Sequence, residues 1–267
     1  MISQKHVPIA QEIANISLVA FYGKKPSPLS KLIIKIQNCL GQLPGFIPYQ
    51  IEQIHGTILG CEGWQTSEGL VNKWFYLTRK EIRYLDYDGW LKCLQRDGGI
   101  DPFFVYVGGY QRDLNYHFLS RGQHLYDRSF QIQKAEDATH IPILIGWPQK
   151  KNLITPDLDN FRRGAQKFGF LHKYHREADS IDNDFYLRLG TIKGLLTKEK
   201  RITVEHHIQQ ILTQESTVKL SIDSNSLAFA QYQDLSLSLA TTKILPLAAI
   251  TKEQLRNYYE VASNLKT

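Results

Sequence analysis

The hydrophobic positions of the chain fall into two kinds of short run, which predict strands and helices in mixed order. Runs rich in β-branched and aromatic residues, bounded by Gly, Pro or Asp, are typical of strands. Runs whose apolar residues recur three and four positions apart are typical of helices packed on one face. Because strands come in groups with helices between some of them, the pattern predicts an α+β fold. The predicted strands cover residues 15–23, 49–60, 102–110, 128–134, 140–147, 182–194, 218–222 and 227–231.

Two of the predicted helices begin in the same way and give the chain two comparable halves. Ser27 is the expected N-cap of the first helix and Thr155 that of the second, and a proline follows each of them at the first helical position. Each helix leads into a predicted strand, so the halves share a weak two-fold similarity. The polar segment 148–153 is the best internal boundary. We therefore expect a single bilobal domain with approximate lobes 1–150 and 151–267.

The strand predicted at residues 49–60 is the one segment with a clear chemical pattern. Side chains alternate across a strand, so the odd-numbered residues 51–59 are expected on one face, with His55 and Thr57 side by side. A neutral imidazole can take a proton from water while a neighbouring hydroxyl holds a phosphoryl oxygen. With 9 His in the chain, such a pair also arises by chance, so its meaning depends on the surrounding segments.

Composition and charge indicate a globular chain and narrow the class of ligand. The formal charge of +6 and the pI of about 9.0 favour anionic ligands such as nucleotides or RNA ends, with solvated surface charge as the alternative explanation. Three widely spaced Cys predict neither a disulfide framework nor a zinc site. Because the chain has no signal-peptide pattern and no membrane-spanning apolar run, we expect a cytoplasmic protein without membrane association. No obligate protein partner is evident.

In this context the chain resembles the 2H phosphoesterase superfamily, whose two lobes each contribute a strand with His-x-Thr or His-x-Ser. The resemblance begins with ISLVAFYG, reaches HGTI at residues 55–58, and continues through RSFQIQK and HIPILIGW. The segment FYLRLGTIKG lies where the second motif is expected. The resemblance implies two antiparallel sheets flanking a central cleft, with helices outside. It also implies a general base and a general acid, both histidines, acting on a 2′,3′-cyclic phosphate without metal or cofactor.

The second motif departs from the family pattern, so the chain is expected to be a divergent member. Tyr186 stands where His is expected, and Arg188 where Thr or Ser is expected. A phenol, with a pKa of about 10, exchanges protons poorly at neutral pH, and Arg holds phosphate while keeping its proton. We therefore expect a phosphoesterase for a cyclic phosphate or phosphodiester of a nucleotide or RNA end. His55 would be its general base, Thr57 a phosphate contact, and Tyr186 and Arg188 substrate-binding residues. The alternative is a non-catalytic nucleotide or RNA-end binding protein that keeps the fold.

The remaining residues of interest have structural interpretations. Phe185, Leu187 and Leu189 are expected to form an apolar back face behind Tyr186. His172 and His175 lie near a predicted helix end, where they would favour its negative terminus or, as a second interpretation, supply the missing acid. No spacing of Cys, His and carboxylates predicts a metal site.

Overall fold

Strands come in groups with helices between them in the computed structural model, which describes residues 11–12, 15–96, 100–135, 137 and 139–260. The described helices are α1 (Ser27–Leu40), α2 (Tyr87–Leu94), α3 (Leu125–Arg128), α4 (Asp157–Gly164), α5 (Lys198–Gln214) and α6 (Lys252–Glu260). The described strands are β1 (Gln11–Glu12), β2 (Asn15–Ala20), β3 (Phe46–Pro48), β4 (Gly56–Gly60), β5 (Gly63–Thr66), β6 (Gly69–Asn72), β7 (Phe103–Val107), β8 (Phe130–Lys134), β9 (His140–Lys150), β10 (Leu153–Ile154), β11 (Phe185–Arg188), β12 (Gly190–Ile192), β13 (Val218–Ile222), β14 (Leu227–Tyr232) and β15 (Lys243–Pro246).

One large antiparallel sheet organises the fold. Its main path runs β13-β7-β9-β11-β4-β2-β14-β15, with β8, β10 and β12 paired to β9, and β3 paired to β12. A small sheet, β1-β5-β6, lies beside it. These antiparallel sheets, with helices packed against them, confirm the predicted α+β class. In the described part of the chain, no helix has the length and apolar character needed to cross a membrane.

The main path consists of two groups of four strands that meet at β4 and β11. Between these two strands a single register pair forms, Gly56 with Leu187, whereas β9 and β11 share four register pairs. The groups are therefore hydrogen-bonded into one sheet at a narrow junction. The strands that carry the intact motif and the altered motif are immediate neighbours there.

Each group of strands draws on both halves of the chain. Strand β14 pairs with β2, and β15 pairs with β14, so the group that begins with β4 is completed by late segments. Strand β13 likewise pairs with the early strand β7. The hydrogen bonding of the sheet therefore does not follow a division at residue 150, because long-range pairing places late strands at both of its ends.

The two faces of the sheet carry separate apolar clusters. Phe185, Leu187 and Leu189 are fully buried in the main core, which also contains the apolar residues of α1 and of α5. This confirms the expected apolar back face. Tyr186 points to the opposite face and packs against a smaller cluster that includes Ile145 and Trp147.

The strand expected at residues 49–60 is shorter than predicted, which is a correction. Ile51–Gln53 form a 3-10 turn, and β4 begins only at Gly56, so His55 lies just before the strand. An irregularity between β2 and β4 then disturbs the alternation, and both Ile58 and Leu59 enter the main core. A bulge of this kind adds one unpaired residue and shifts the faces of a strand. The expected common face from residue 51 to residue 59 is therefore wrong.

Two further local predictions also need correction. The residues in the N-cap positions of α1 and α4 are Pro26 and Pro156, not Ser27 and Thr155. The segment 148–153 is a β-hairpin between β9 and β10, rather than a linker between lobes. Its turn places two consecutive non-glycine residues, 151 and 152, in the left-handed backbone region, with φ of 51° and 64°.

Arg162 of α4 joins the two groups of strands at their junction. Its guanidinium is buried and donates four hydrogen bonds to main-chain carbonyl oxygens. Two acceptors, Thr57 and Ile58, lie in β4; the other two, Asp182 and Asp184, precede β11. Because β4 and β11 share only one register pair, these carbonyl groups receive hydrogen bonds from Arg162 rather than from the backbone of the neighbouring strand.

Replacing Arg162 with Met is expected to lower the free energy of unfolding by about 3–5 kcal/mol, since it leaves buried carboxylates and carbonyls without their donor. Urea denaturation monitored by circular dichroism measures the change. Arg83→Met is the control, because Arg83 forms an exposed pair with Glu81 and its loss should cost about 1 kcal/mol or less. Equal effects of the two substitutions would contradict the role of Arg162.

Candidate functional site

His55 occupies a buried position between the 3-10 turn and β4. Its Nδ1 lies 2.7 Å from the carbonyl oxygen of Gln53, and its ring centroid lies 5.9 Å from that of Tyr22. A carbonyl oxygen only accepts, so Nδ1 carries the proton of the neutral ring and Nε2 carries the lone pair. The turn therefore fixes the tautomer in which Nε2 is the basic nitrogen.

Burial lowers the pKa of His55 to about 4, an effect that its hydrogen bond to Gln53 opposes and the positive charges of Arg188 and Lys25 reinforce. Lys25 is itself buried and donates to the carbonyl oxygens of Gly23 and Glu52. Burial lowers the pKa of Lys25 to about 8, against the opposing charge of Glu52. His55 is therefore neutral at physiological pH and lies in the field of two cations.

The four predicted site residues lie beside the one register pair of the junction. Gly56 lies opposite Leu187, so His55 and Thr57 flank one member of the pair, and Tyr186 and Arg188 flank the other. The positive charge of Arg188 lowers the pKa of His55, which indicates that these two side chains lie near each other. Thr57 is half-buried, and no residue in the described ranges hydrogen-bonds to its hydroxyl group. The intact motif and the altered motif are therefore adjacent at this junction of the sheet.

Arg188 and Tyr186 differ in how firmly the protein holds them. Arg188 is half-buried and donates one hydrogen bond of 3.3 Å to the carbonyl oxygen of Leu235. The Tyr186 hydroxyl accepts a hydrogen bond of 2.5 Å from Arg128. Burial and the nearby charge of Asp184 raise the pKa of Tyr186 to about 12, despite the opposing charge of Arg128. Tyr186 is therefore a protonated phenol fixed in place, whereas the guanidinium of Arg188 retains donors for a ligand.

A buried polar network behind Tyr186 was not predicted from the sequence. The Asp184 carboxylate accepts hydrogen bonds from Ser120, Trp147 and Arg128 at 2.6–2.7 Å, and Arg128 then holds Tyr186. Arg121 lies 3.6 Å from Asp184, with its guanidinium carbon 5.3 Å from the Tyr186 ring. The alternation of polar residues from 182 to 188 was a readable signal of one polar face, but its partners are 37 to 64 residues away in sequence.

Two other histidines pair with carboxylates, rather than with the helix terminus that was expected to hold them. His172 and His175 are both buried, and each pairs with a buried carboxylate. His172 Nε2 lies 2.8 Å from Asp182, and His175 Nε2 lies 2.8 Å from Asp159. Burial and the charge of Arg162 lower the pKa of His172 to about 3, despite its hydrogen bond to Asp182. His172 is therefore a neutral, fixed side chain rather than a proton donor for the site.

Two cavities lie away from these four residues. One, of about 630 Å³, is lined by residues of α2, β7 and α4, and the other, of about 640 Å³, lies between α1 and α5. None of His55, Thr57, Tyr186 and Arg188 lines either of them. Among the described residues, no group of three or more His, Cys, Asp or Glu side chains is arranged to hold a metal ion.

Comparison with known proteins identifies no family. No protein-family model and no curated protein matches the chain. Among solved structures, the protein TT0787 of Thermus thermophilus is similar to it with a TM-score of 0.40 and 11% sequence identity. The match covers 89% of this chain and 100% of that one.

The His55 imidazole is expected to titrate near pH 4 in the folded protein, which NMR of the ring protons would measure. In the unfolded chain a histidine has a pKa of about 6.5, so the unfolded state binds more protons between these two values. The stability that neutral His55 contributes is complete above about pH 6.5 and is lost as the pH falls towards 4, by about 3 kcal/mol in total. In His55→Gln this part of the pH dependence should be absent. A titration midpoint near 6.5 would contradict the buried, neutral ring.

Proposed function

We propose that the face formed by His55, Thr57 and Arg188 binds the phosphate group of a phosphate ester, namely a nucleotide or an RNA end. The observation that supports this proposal is the pairing of Gly56 with Leu187, because the residues that flank this pair include a neutral imidazole, a hydroxyl and a guanidinium. Arg188 would donate charge-assisted hydrogen bonds to the phosphate oxygens. Thr57 would donate its hydroxyl proton to another of these oxygens.

The charge around this face favours an anion. Arg188 and Lys25 both act on His55, and Arg121 and Arg128 surround the neighbouring Tyr186. Asp184 offsets part of this charge, because it pairs with Arg128 and lies near Arg121. Arg188 has no carboxylate partner in the described ranges and is the cation that a phosphate would meet first. His55 Nε2 would accept a proton from a water molecule or a ribose hydroxyl beside the phosphate.

Binding is favoured over efficient turnover because the site has one proton-transfer group in place of two. Hydrolysis of a phosphodiester needs a base for the attacking water and an acid for the leaving oxygen. Tyr186, with its pKa raised to about 12 and its hydroxyl held by Arg128, is a poor acid. The divergent phosphoesterase remains a second candidate, because His55 presents a neutral Nε2 that could activate water.

Isothermal titration with nucleoside 2′,3′-cyclic phosphates and 3′-monophosphates tests the binding. Arg188→Ala is expected to weaken binding about 10–100-fold, since a hydrogen bond to a charged group is worth about 1.5–3 kcal/mol. His55→Ala should weaken it less, while abolishing any hydrolysis that persists in the presence of a chelator. Arg83→Ala, an exposed charge change on another part of the chain, is the control. Unchanged affinity in Arg188→Ala would overturn the proposal.

Restoring the expected residue types at both positions should raise turnover of a 2′,3′-cyclic phosphate. General acid–base catalysis contributes roughly 10²–10⁴-fold, so Tyr186→His with Arg188→Thr is expected to increase the hydrolysis rate within that range. The same variant should bind the ligand more weakly, because it loses the guanidinium. Tyr186→Phe with Arg188→Thr is the matched control, since it lacks a proton-transfer group. Equal hydrolysis rates in the two double variants would exclude position 186 as an acid.

A further inference from the structure

The helices α1 and α5 face each other along two rows of side chains that leave a gap between them. On α1 and the residues that follow it, the row is Lys35, Asn38, Cys39 and Gln42; on α5 it is Lys200, Thr203, Val204, His207 and Ile208. Both rows follow the three-and-four spacing of a single helix face. In a closely packed helix pair these positions are apolar and interdigitate. Six of these nine residues are polar here, and a cavity of about 640 Å³ remains.

Apart from one exposed ion pair with α1, the polar anchors of α5 described below lie on the side of the helix that faces away from this gap. The Glu205 carboxylate accepts a hydrogen bond from the backbone of Ile132 in β8, and Gln209 donates to the carbonyl oxygens of Asp127 and Phe130. On the side of α1, the polar contact between the two helices is an exposed ion pair, Lys35 with Glu215. The position of α5 is therefore fixed by β8 and α3, independently of whether the space beside α1 is filled.

The lining of this groove selects for an organic anion. Its floor is apolar, with Cys39, Leu43, Val204 and Ile208, and no acidic side chain occurs among the described residues that line it. Lys200 and His207 lie on its rim, seven residues apart, which corresponds to about 10 Å along the helix. The described part of the chain offers neither side chain a hydrogen bond or ion pair. Cavities of about 300–1,000 Å³ with an apolar lining and a few convergent polar groups are typical small-molecule sites.

We propose that the groove between α1 and α5 binds a small organic anion that has an apolar body and one acidic head group. The apolar body lies on the floor between Leu43 and Ile208, and the head group pairs with Lys200. This site belongs to the face of the sheet that carries the main core, opposite to Tyr186. It is therefore separate from the phosphate-binding face and does not depend on it.

The first test uses 8-anilinonaphthalene-1-sulfonate, an aromatic sulfonate, and its uncharged analogue N-phenyl-1-naphthylamine. The folded protein is expected to bind one sulfonate at least tenfold more tightly than the neutral analogue. Lys200→Glu should weaken sulfonate binding at least tenfold, and Lys200→Arg should retain it. Lys198→Glu, a charge reversal at the start of the same helix and outside the groove, is the matched control. Thr203→Trp should fill the groove and abolish binding, whereas Thr203→Ala should not.

The second test locates the probe by thiol chemistry. Cys39 lines this groove, Cys93 lines the other cavity, and both are half-buried free thiols. The sulfonate is expected to slow alkylation of Cys39 by iodoacetamide at least fivefold, with Cys93 unaffected, as peptide mass spectrometry would show. Protection of Cys93 in place of Cys39 would overturn the proposal. Equal binding of the charged and neutral probes, or unchanged binding in Lys200→Glu, would overturn it as well.

Discussion

The guanidinium of Arg162 is the interaction on which the arrangement of the two motifs depends. Between β4 and β11 the sheet has a single register pair, so neither strand satisfies the main-chain carbonyl groups beside that pair. Arg162 enters from α4 and supplies the missing donors to both strands at once. A buried guanidinium suits this position because it presents five N–H donors in a fixed plane and retains its charge. The carboxylate of Asp182, 3.5 Å away, balances that charge.

The two motifs that meet at this junction differ in their side chains. The intact motif carries a neutral imidazole and a hydroxyl, and the altered motif carries a phenol and a guanidinium. The phenol is held by the chain from Asp184 through Arg128, whereas the guanidinium of Arg188 makes one long hydrogen bond to a main-chain oxygen. Within the altered motif, the Tyr186 side chain is therefore preorganised by buried charge, and the Arg188 side chain is held less firmly.

The sequence predicted the parts of the fold that depend on local pattern. The strands Val218–Ile222 and Leu227–Tyr232 are found at or within one residue of the predicted ranges, and the apolar face of Phe185, Leu187 and Leu189 follows from simple alternation. Local pattern did not reveal the 3-10 turn before His55 or the irregularity near Ile58, since both arise from how β4 meets its neighbours. The hydrogen-bond partner of Tyr186 was not predicted either, because Arg128 lies 58 residues away in sequence. The partner of His172, Asp182, lies only 10 residues away, but local pattern does not show which polar side chains are buried together. The proximity of β4 and β11 was expected from the family resemblance rather than from any property of the residues.

The pairing of β2 with β14 has a consequence for the order in which the chain can fold. One edge of strand β2 pairs with β4, which lies about 40 residues later in the chain. Among the described residues, its other edge pairs with Leu227–Tyr232. During synthesis that edge, rich in buried apolar residues, stays unpaired while some 200 residues emerge, and open apolar edges are sites of aggregation. Such long-range pairing also slows folding, because the entropy of closing the loop is lost before the contacts form. Strand β14 therefore pairs with β2 late in folding. The group of strands that includes β4 has its complete hydrogen bonding only after β14 and β15 have joined the sheet.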